Sequence, residues 1–163
     1  MPNLIQNLIA HLPDEAATNA LGKSLAGVLT PGLVIYLQGD LGAGKTALTR
    51  ALLQAAGHVG HVRSPTYTLA EPYTVQINGQ PTEVIHFDLY RMISADEFLE
   101  AGFREYFNAR SVCIVEWPEK AQQLLPPPDI RISLQIEGDG RAVELTALSA
   151  QGVACLNRLQ RTS

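Results

Sequence analysis

The stretch Gly39-Asp40-Leu41-Gly42-Ala43-Gly44-Lys45-Thr46 lies between an apolar run at 33–37 and a helix-forming run at 47–53. The order strand, glycine-rich loop and helix is typical of a phosphate-binding loop. Glycines allow the backbone to curl so that successive N–H groups point inward, and the following helix adds its positive dipole end and its unpaired donors. The sequence therefore predicts a cradle for a polyphosphate.

The same residues match the Walker A pattern G-x-x-x-x-G-K-[ST], which predicts the contacts of a nucleoside triphosphate. In this pattern Lys45 reaches the β- and γ-phosphates as a point charge, and the Thr46 hydroxyl ligates Mg²⁺. We therefore expect ATP or GTP as the ligand, together with Mg²⁺. The residues predicted to bind it are Asp40, Leu41, Gly42, Ala43, Gly44, Lys45 and Thr46.

Two other interpretations of this loop are open. The glycines suit a helix-starting turn that needs only tight packing. Residues 42–47 also fit the dinucleotide fingerprint G-x-G-x-x-[GA], which expects a ribose-binding acid about twenty residues further on. After Asp40 the next acid is Glu71, an offset that does not suit a dinucleotide site. Lys45, in contrast, suits a triphosphate.

A triphosphate site needs a second acid for Mg²⁺, normally at the end of an apolar strand beside the loop. Asp88 follows the run 84–87, and Glu116 follows the run 112–115. Because its strand is the more uniformly apolar, Glu116 is the better candidate for direct metal contact or for polarising the attacking water. Asp88 would then support the metal site or act as a base. For each acid, a solvated strand end or a salt bridge is the structural alternative.

Other residues near these motifs have weaker functional signals. Thr66 and its neighbours Tyr67 and Thr68 follow Ser64-Pro65, where nucleotide switches place a γ-phosphate sensor. Arg91 and Arg104 are candidate charge-neutralising fingers, although a lone surface arginine is more often a solvated helix residue. Trp117 is either a lid or a core residue. The four histidines show no metal-ligand spacing.

The pattern of apolar runs and turns predicts an α/β fold: a three-layer P-loop NTPase with a mixed central sheet and peripheral antiparallel hairpins. A helix is expected from about residue 13 to residue 30. Asn78-Gly79 and Gly138-Asp139-Gly140 predict two hairpins. The Ser94–Glu97 capping box predicts a helix to Ala101, and a terminal helix is expected over 150–159. With 163 residues, we expect one domain over 1–163.

Composition limits the possible partners and location. The net charge is −4 and the pI about 5.5, with no basic cluster, so tight autonomous binding to a polyanion is not expected. A protein partner can still bring the domain to nucleic acid. Cys113 and Cys155 have no zinc-like spacing and are expected to be reduced packing residues. Without a leader or a long apolar run, we expect a cytoplasmic protein that does not enter the membrane.

Together the motifs resemble one family, the bacterial ATPase TsaE, formerly YjeE, of tRNA threonylcarbamoyladenosine biosynthesis. The motifs occur in the family's order and without departure through about Pro118. They are Leu12-Pro13-Asp14-Glu15, the loop 39–46, Ser64-Pro65-Thr66-Tyr67-Thr68-Leu69, His86-Phe87-Asp88-Leu89-Tyr90-Arg91 and Val115-Glu116-Trp117-Pro118. The loop is shared by many families, whereas the last three motifs in series are far more specific.

The resemblance implies a small P-loop ATPase that binds ATP and Mg²⁺ and works with the partner proteins TsaB and TsaD, which carry out the transfer to tRNA. By position, Lys45 binds phosphate, Thr46 and Glu116 hold Mg²⁺, and Asp88 supports hydrolysis. Glu15 is implied to border the base or ribose. Nothing functional carries over after Pro128. A small-molecule kinase and a nucleotide-gated binding module with negligible hydrolysis remain alternatives.

Overall fold

A computed structural model describes residues 6–162 as seven strands and four α-helices. Two 3₁₀ turns, Phe103–Tyr106 and Pro118–Ala121, lie between them. The strands and helices in chain order are β1 Gln6–Leu12, α1 Glu15–Ala26, β2 Val34–Gln38, α2 Lys45–Ala55, β3 Ala70–Ile77, β4 Gln80–Asp88, α3 Asp96–Glu100, β5 Val112–Glu116, β6 Ile130–Glu137, β7 Gly140–Ala147 and α4 Ala150–Thr162. The predicted single domain over 1–163 includes residues 1–5 and 163, which lie outside the described residues, and it stays a prediction.

The strands form one mixed sheet in the order β1-β7-β6-β2-β5-β4-β3. The central strands β6, β2, β5 and β4 are parallel, while β1, β7 and β3 pair antiparallel at the two sides. The predicted mixed sheet with peripheral hairpins is therefore confirmed. Sequence analysis missed β1, because this edge strand is largely exposed and shows no clean alternation of apolar and polar residues.

Apolar side chains cover both faces of the sheet. Along β5, Val112 and Ile114 join the cluster beneath α1, α2 and α4, whereas Cys113 and Val115 join the cluster beneath α3 and the turn at 103–106. This alternation follows the two-residue period of a strand, and burial on both faces explains the continuous apolar run. Both cysteines are buried and free, as predicted. No helix within residues 6–162 is long and apolar enough to cross a membrane.

Helix starts follow the capping residues. The Asp14 side chain accepts the Ala17 N–H at 2.9 Å and begins α1. For α3, Glu97 accepts the Ser94 N–H at 2.9 Å, and the Ser94 hydroxyl accepts the N–H of Asp96 at 3.2 Å. Both bonds of the predicted capping box are therefore present. Ala95 already has helical dihedral angles, with φ of −60° and ψ of −22°, although the regular helix covers only Asp96–Glu100.

Candidate functional site

Three parallel strands deliver the candidate residues to one edge of the sheet. β2 leads into the glycine-rich loop, β4 ends at Asp88 and β5 ends at Glu116. Asp88 and Glu116 are register partners on neighbouring strands. Together with the loop they line a cavity of about 450 Å³. Ligands of open α/β sheets bind outside the carboxyl ends of the strands, so this cavity is the candidate site.

Glycine is needed at specific points of the loop at residues 39–46. Gly42 and Gly44 have φ angles of 82° and 102°, which residues with a Cβ rarely adopt. At Gly39, with φ of 147°, a Cβ would lie 2.4 Å from the carbonyl oxygen of Leu134 on β6. The loop therefore curls tightly against the β6–β7 hairpin, and its glycines are structural requirements of that path.

Lys45 is only 5% exposed, and its ammonium group is held within the loop. It donates to the carbonyl oxygen of Gly39 and, at 3.1 Å, to that of Asp40. The ammonium nitrogen also lies 4.4 Å from the ring centroid of Trp117. A positive charge is thus kept at the wall of the cavity by two carbonyls and an aromatic face.

The start of α2 supplies free donors to the same cavity. The first helical bond runs from the Leu48 N–H to the Gly44 carbonyl at 2.9 Å. The N–H groups of Lys45, Thr46 and Ala47 consequently have no acceptor within the helix, and none elsewhere in residues 6–162. All three residues line the cavity. Unpaired amides at the positive end of a helix form an anion-binding surface.

Glu116 is the deepest carboxylate of the site, and it is paired with His86. Glu116 is 2% exposed and His86 fully buried. Nε2 of His86 lies 2.5 Å from Oε2 of Glu116, so an ionised Glu116 requires the ring hydrogen on Nε2. Nδ1 of His86 has no partner among the described residues. The pair leaves the other oxygen of Glu116 available at the cavity wall.

Asp88 lies beside Glu116 but is more accessible. Its Oδ1 accepts the N–H of Tyr90 at 3.1 Å. Partial burial, followed by the negative charge of Glu116, raises the pKa of Asp88; the Tyr90 N–H, His86 and Lys45 oppose this shift. A carboxylate with a raised pKa accepts a proton more readily than an ordinary aspartate.

Aromatic and loop residues surround the mouth of the cavity. Trp117 has φ of 58°, and its ring centroid lies 4.9 Å from that of Tyr90. Arg91 lines the cavity and lies 5.4 Å from the Tyr67 ring centroid, whereas Arg104 lines a different cavity. Trp117 therefore belongs to the site wall as well as to the core, and Arg104 is not brought to the site.

The predicted switch segment is only partly at the site. Thr66 lines the cavity, and its hydroxyl lies 3.1 Å from that of Ser64, which also lines it. Thr68 instead donates to Glu71 at 3.0 Å. Ser64 had no predicted role, because a serine before proline carries no functional signal by itself.

Glu15 lies in a neighbouring cavity of about 330 Å³. The two cavities share Gly44 and Ala47. Asp40 and Ala43 line neither cavity with their side chains and contribute main chain to the loop instead. The roles assigned to Glu15 and to the loop residues stay predictions.

Comparison with known proteins identifies the family. A family model described as "Threonylcarbamoyl adenosine biosynthesis protein TsaE" matches residues 12–143. The chain belongs to the TsaE family. The matched range includes every predicted site residue, from Glu15 to Glu116. The resemblance inferred from the motifs is thereby confirmed.

Relatives and a solved structure extend this similarity over most of the chain. Two proteins named tRNA threonylcarbamoyladenosine biosynthesis protein TsaE are similar to it. The one from Haemophilus influenzae is 42% identical, covering 91% of this chain and 94% of the relative. The one from Bacillus subtilis is 37% identical, covering 83% and 82%. The crystal structure of YdiB from Bacillus subtilis matches with a TM-score of 0.78 at 28% identity, covering 99% of both chains.

The residues of this TsaE-family chain fit a magnesium nucleotide chemically. Mg²⁺ prefers hard oxygen ligands and usually takes one or two carboxylates plus phosphate oxygens. The Thr46 hydroxyl, Asp88 and Glu116 supply such oxygens along one cavity. The unpaired amides and the Lys45 ammonium supply the donors that phosphate oxygens need. The site thus offers oxygen ligands for the metal ion and hydrogen-bond donors for the phosphates.

Sequence reasoning missed one contact to the loop. Arg141 on β7 donates from Nε to the Ala43 carbonyl at 3.0 Å and from Nη2 to the Gly42 carbonyl at 3.1 Å. No motif marks this arginine, because it lies in an alternating strand almost a hundred residues beyond the loop. Only the sheet order, which places the β6–β7 hairpin beside β2, brings the two together.

Proposed function

We propose that this TsaE-family chain has a P-loop NTPase fold and is a Mg²⁺-dependent ATPase. It supports threonylcarbamoyl transfer to the tRNA adenosine next to the anticodon by a TsaB–TsaD complex. One observation carries the ATPase proposal. The Lys45 ammonium, the unpaired amides of α2 and the two carboxylates Asp88 and Glu116 all meet in a single cavity. This combination suits a polyphosphate with its metal.

The phosphates are bound by the loop and the start of α2. Main-chain amides and Lys45 neutralise the anion with donors that the loop already holds in place. Thr46 and Glu116 hold Mg²⁺, which when bound adds positive charge at the β- and γ-phosphates. Glu15, in the neighbouring cavity, borders the ribose or base.

Hydrolysis depends on the second carboxylate. Asp88 accepts a proton from the attacking water, and its raised pKa favours that role. Thr66 also lines the cavity, and its hydroxyl is assigned to the γ-phosphate. The hydroxyl–hydroxyl contact between Ser64 and Thr66 exchanges readily for a phosphate contact, so the segment can respond to the nucleotide state.

The transfer itself is assigned to partner proteins. The chain is acidic, with a net charge of −4, and has no dense basic cluster. Tight direct binding of tRNA depends on neutralising several phosphates with Lys and Arg. We therefore assign tRNA contact to the TsaB–TsaD complex, with this chain acting on it indirectly.

The test uses Asp88→Asn in a reconstituted reaction with TsaB, TsaD, tRNA and a threonylcarbamoyl donor. The asparagine keeps an oxygen for the Tyr90 N–H but cannot take a proton. We expect ATP affinity to stay within about threefold, and ATP hydrolysis and multiple-turnover tRNA modification to fall by about a hundredfold or more. Asp96→Asn, exposed on α3, is the matched control.

Three outcomes would overturn the proposal. Unchanged hydrolysis in Asp88→Asn would remove the residue from the reaction. Full tRNA modification without phosphate release in the wild type would make the chain a nucleotide-gated binding module. Phosphate label on a small-molecule acceptor, in contrast, would make it a kinase.

A further inference from the structure

The glycine-rich loop at 39–46 is backed by the β6–β7 hairpin, which no motif marks. At one end, Gly39 lies so close to the Leu134 carbonyl on β6 that a Cβ would overlap it. At the other end, Arg141 on β7 reaches the carbonyls of Gly42 and Ala43. The hairpin thus contacts both halves of the loop, and Arg141 does so with a charged side chain.

Arg141 is well placed to act as a rigid support. It lies on β7, which pairs on both sides, so that Arg141 is the register partner of Leu12 on β1 and of Ile136 on β6. A third bond, from Nη1 to the Gly140 carbonyl at 2.8 Å, ties the guanidinium to its own strand. The planar guanidinium therefore holds two loop carbonyls in a fixed geometry that a lysine cannot reproduce.

Fixing a carbonyl also fixes the N–H of the same peptide plane, because the planar trans peptide directs the two groups oppositely. The Ala43 carbonyl shares its plane with the Gly44 N–H, which has no acceptor among residues 6–162. The Gly42 carbonyl shares its plane with the Ala43 N–H, which closes a turn onto the Asp40 carbonyl at 3.1 Å. Arg141 thus sets the direction of the Gly44 donor and the shape of the turn before it.

We propose that Arg141 is a positioning residue for polyphosphate binding: from the β6–β7 hairpin it holds peptide planes 42–43 and 43–44, which fixes the turn at residues 40–43 and directs the Gly44 amide to the phosphates. This inference rests on the proposed nucleotide site, and it adds to that site a residue that lies outside the sequence motifs. Preorganised donors bind without first being ordered, so losing the support weakens the binding of any ligand that uses the loop.

The experiment compares Arg141→Gln and Arg141→Lys with the wild type. Calorimetry measures ATP·Mg²⁺ affinity, and displacement of a fluorescent ATP analogue measures Mg-pyrophosphate affinity. We expect Arg141→Gln to weaken both ligands by the same factor, about tenfold, because two charge-assisted bonds to the loop are lost. Arg141→Lys keeps the charge and is expected to restore less than half of the loss on a logarithmic scale. Arg131→Gln, half-buried on β6 with no bond to the loop, is the matched control.

Amide hydrogen exchange in the nucleotide-free protein gives a second readout that needs no ligand. Arg141→Gln is expected to speed exchange by about tenfold at residues 40–46 and to leave the core strands β2 and β5 unchanged, as the same loss of bonds predicts. Faster exchange throughout the sheet would instead indicate general unfolding and would overturn the positioning role.

The possible failures are distinguishable. Wild-type affinity in Arg141→Gln, with the wild type binding ATP, overturns this inference and leaves the proposed function intact. Wild-type affinity in Arg141→Lys would show that the positive charge alone suffices. Weaker ATP binding with unchanged pyrophosphate binding in Arg141→Gln would show that Arg141 contacts the nucleoside directly. Either result overturns this inference. If the wild type binds neither ligand, the proposed function fails, and this inference fails with it.

Discussion

Nε2 of His86 lies 2.5 Å from Oε2 of Glu116, and both side chains are buried at the ends of neighbouring strands. The contact orients one oxygen of a carboxylate whose other oxygen is available to the cavity. Residues that hydrogen-bond to a metal-binding carboxylate influence activity almost as strongly as the ligand itself. We therefore expect His86 to position Glu116 in the proposed site.

Replacing His86 tests this role. We expect His86→Phe to lower the rate of ATP hydrolysis at saturating Mg²⁺ by about ten- to a hundredfold, because Glu116 loses its hydrogen-bond partner. His86→Gln retains an N–H donor near the Nε2 position and should recover part of the rate. Equal losses in both variants would assign His86 a packing role only. Urea unfolding of each variant separates this loss from a loss of folded protein.

Asp88 is expected to lower the free energy of unfolding at neutral pH. The pKa of Asp88 is raised in the folded protein. Its contribution to the free energy of unfolding is therefore most favourable below the pKa of an unfolded aspartate, and it is lost as the pH rises through the pKa of the folded state. Asp88→Asn should therefore raise the free energy of unfolding at pH 7 while lowering the rate of hydrolysis by about a hundredfold or more. The gain should vanish at about pH 3, below the ordinary aspartate pKa.

Urea unfolding at both pH values, in EDTA and without nucleotide, measures this difference. Asp96→Asn, at an exposed position, controls for the loss of one negative charge. A less stable Asp88→Asn at pH 7, with Asp96→Asn unchanged, would contradict the raised pKa of Asp88.

Trp117 provides an internal probe of the loop. It is the single tryptophan of the chain, and the Lys45 ammonium nitrogen lies 4.4 Å from its ring centroid. A phosphate competes for that ammonium group, so we expect ATP·Mg²⁺ to change the tryptophan emission. Lys45→Ala should abolish the change, and Lys120→Ala, an exposed lysine nearby, should keep it. Emission that stays constant while calorimetry shows saturation would exclude this coupling.

Much of the fold and the site was predictable, since local chemistry determines these parts. Glycines with positive φ and a lysine after them define the loop, and apolar strands ending in Asp88 and Glu116 place both acids at one sheet edge. The hairpin at Asn78-Gly79 was predicted for the same reason: Asn78 and Gly79 both adopt positive φ.

The parts that sequence analysis missed depend on contacts between distant segments. The edge strand β1 is held by pairing with β7 more than a hundred residues away, and its own pattern is weak. The Arg141 contact needs the sheet order, which no local pattern contains. His86 is buried within β4, and its bond to Glu116 arises only from the register of β4 against β5.

The nucleotide site is tested by calorimetric titration of ATP with Mg²⁺ into the wild type and Lys45→Ala. We expect one saturable site per chain in the wild type, and a loss of affinity of at least about a hundredfold in Lys45→Ala, since a charge-assisted contact to two phosphates is removed. Circular dichroism verifies that the variant is folded. Equal binding by the two proteins, or no heat from the folded wild type at millimolar ATP, would contradict a nucleotide site built on this loop.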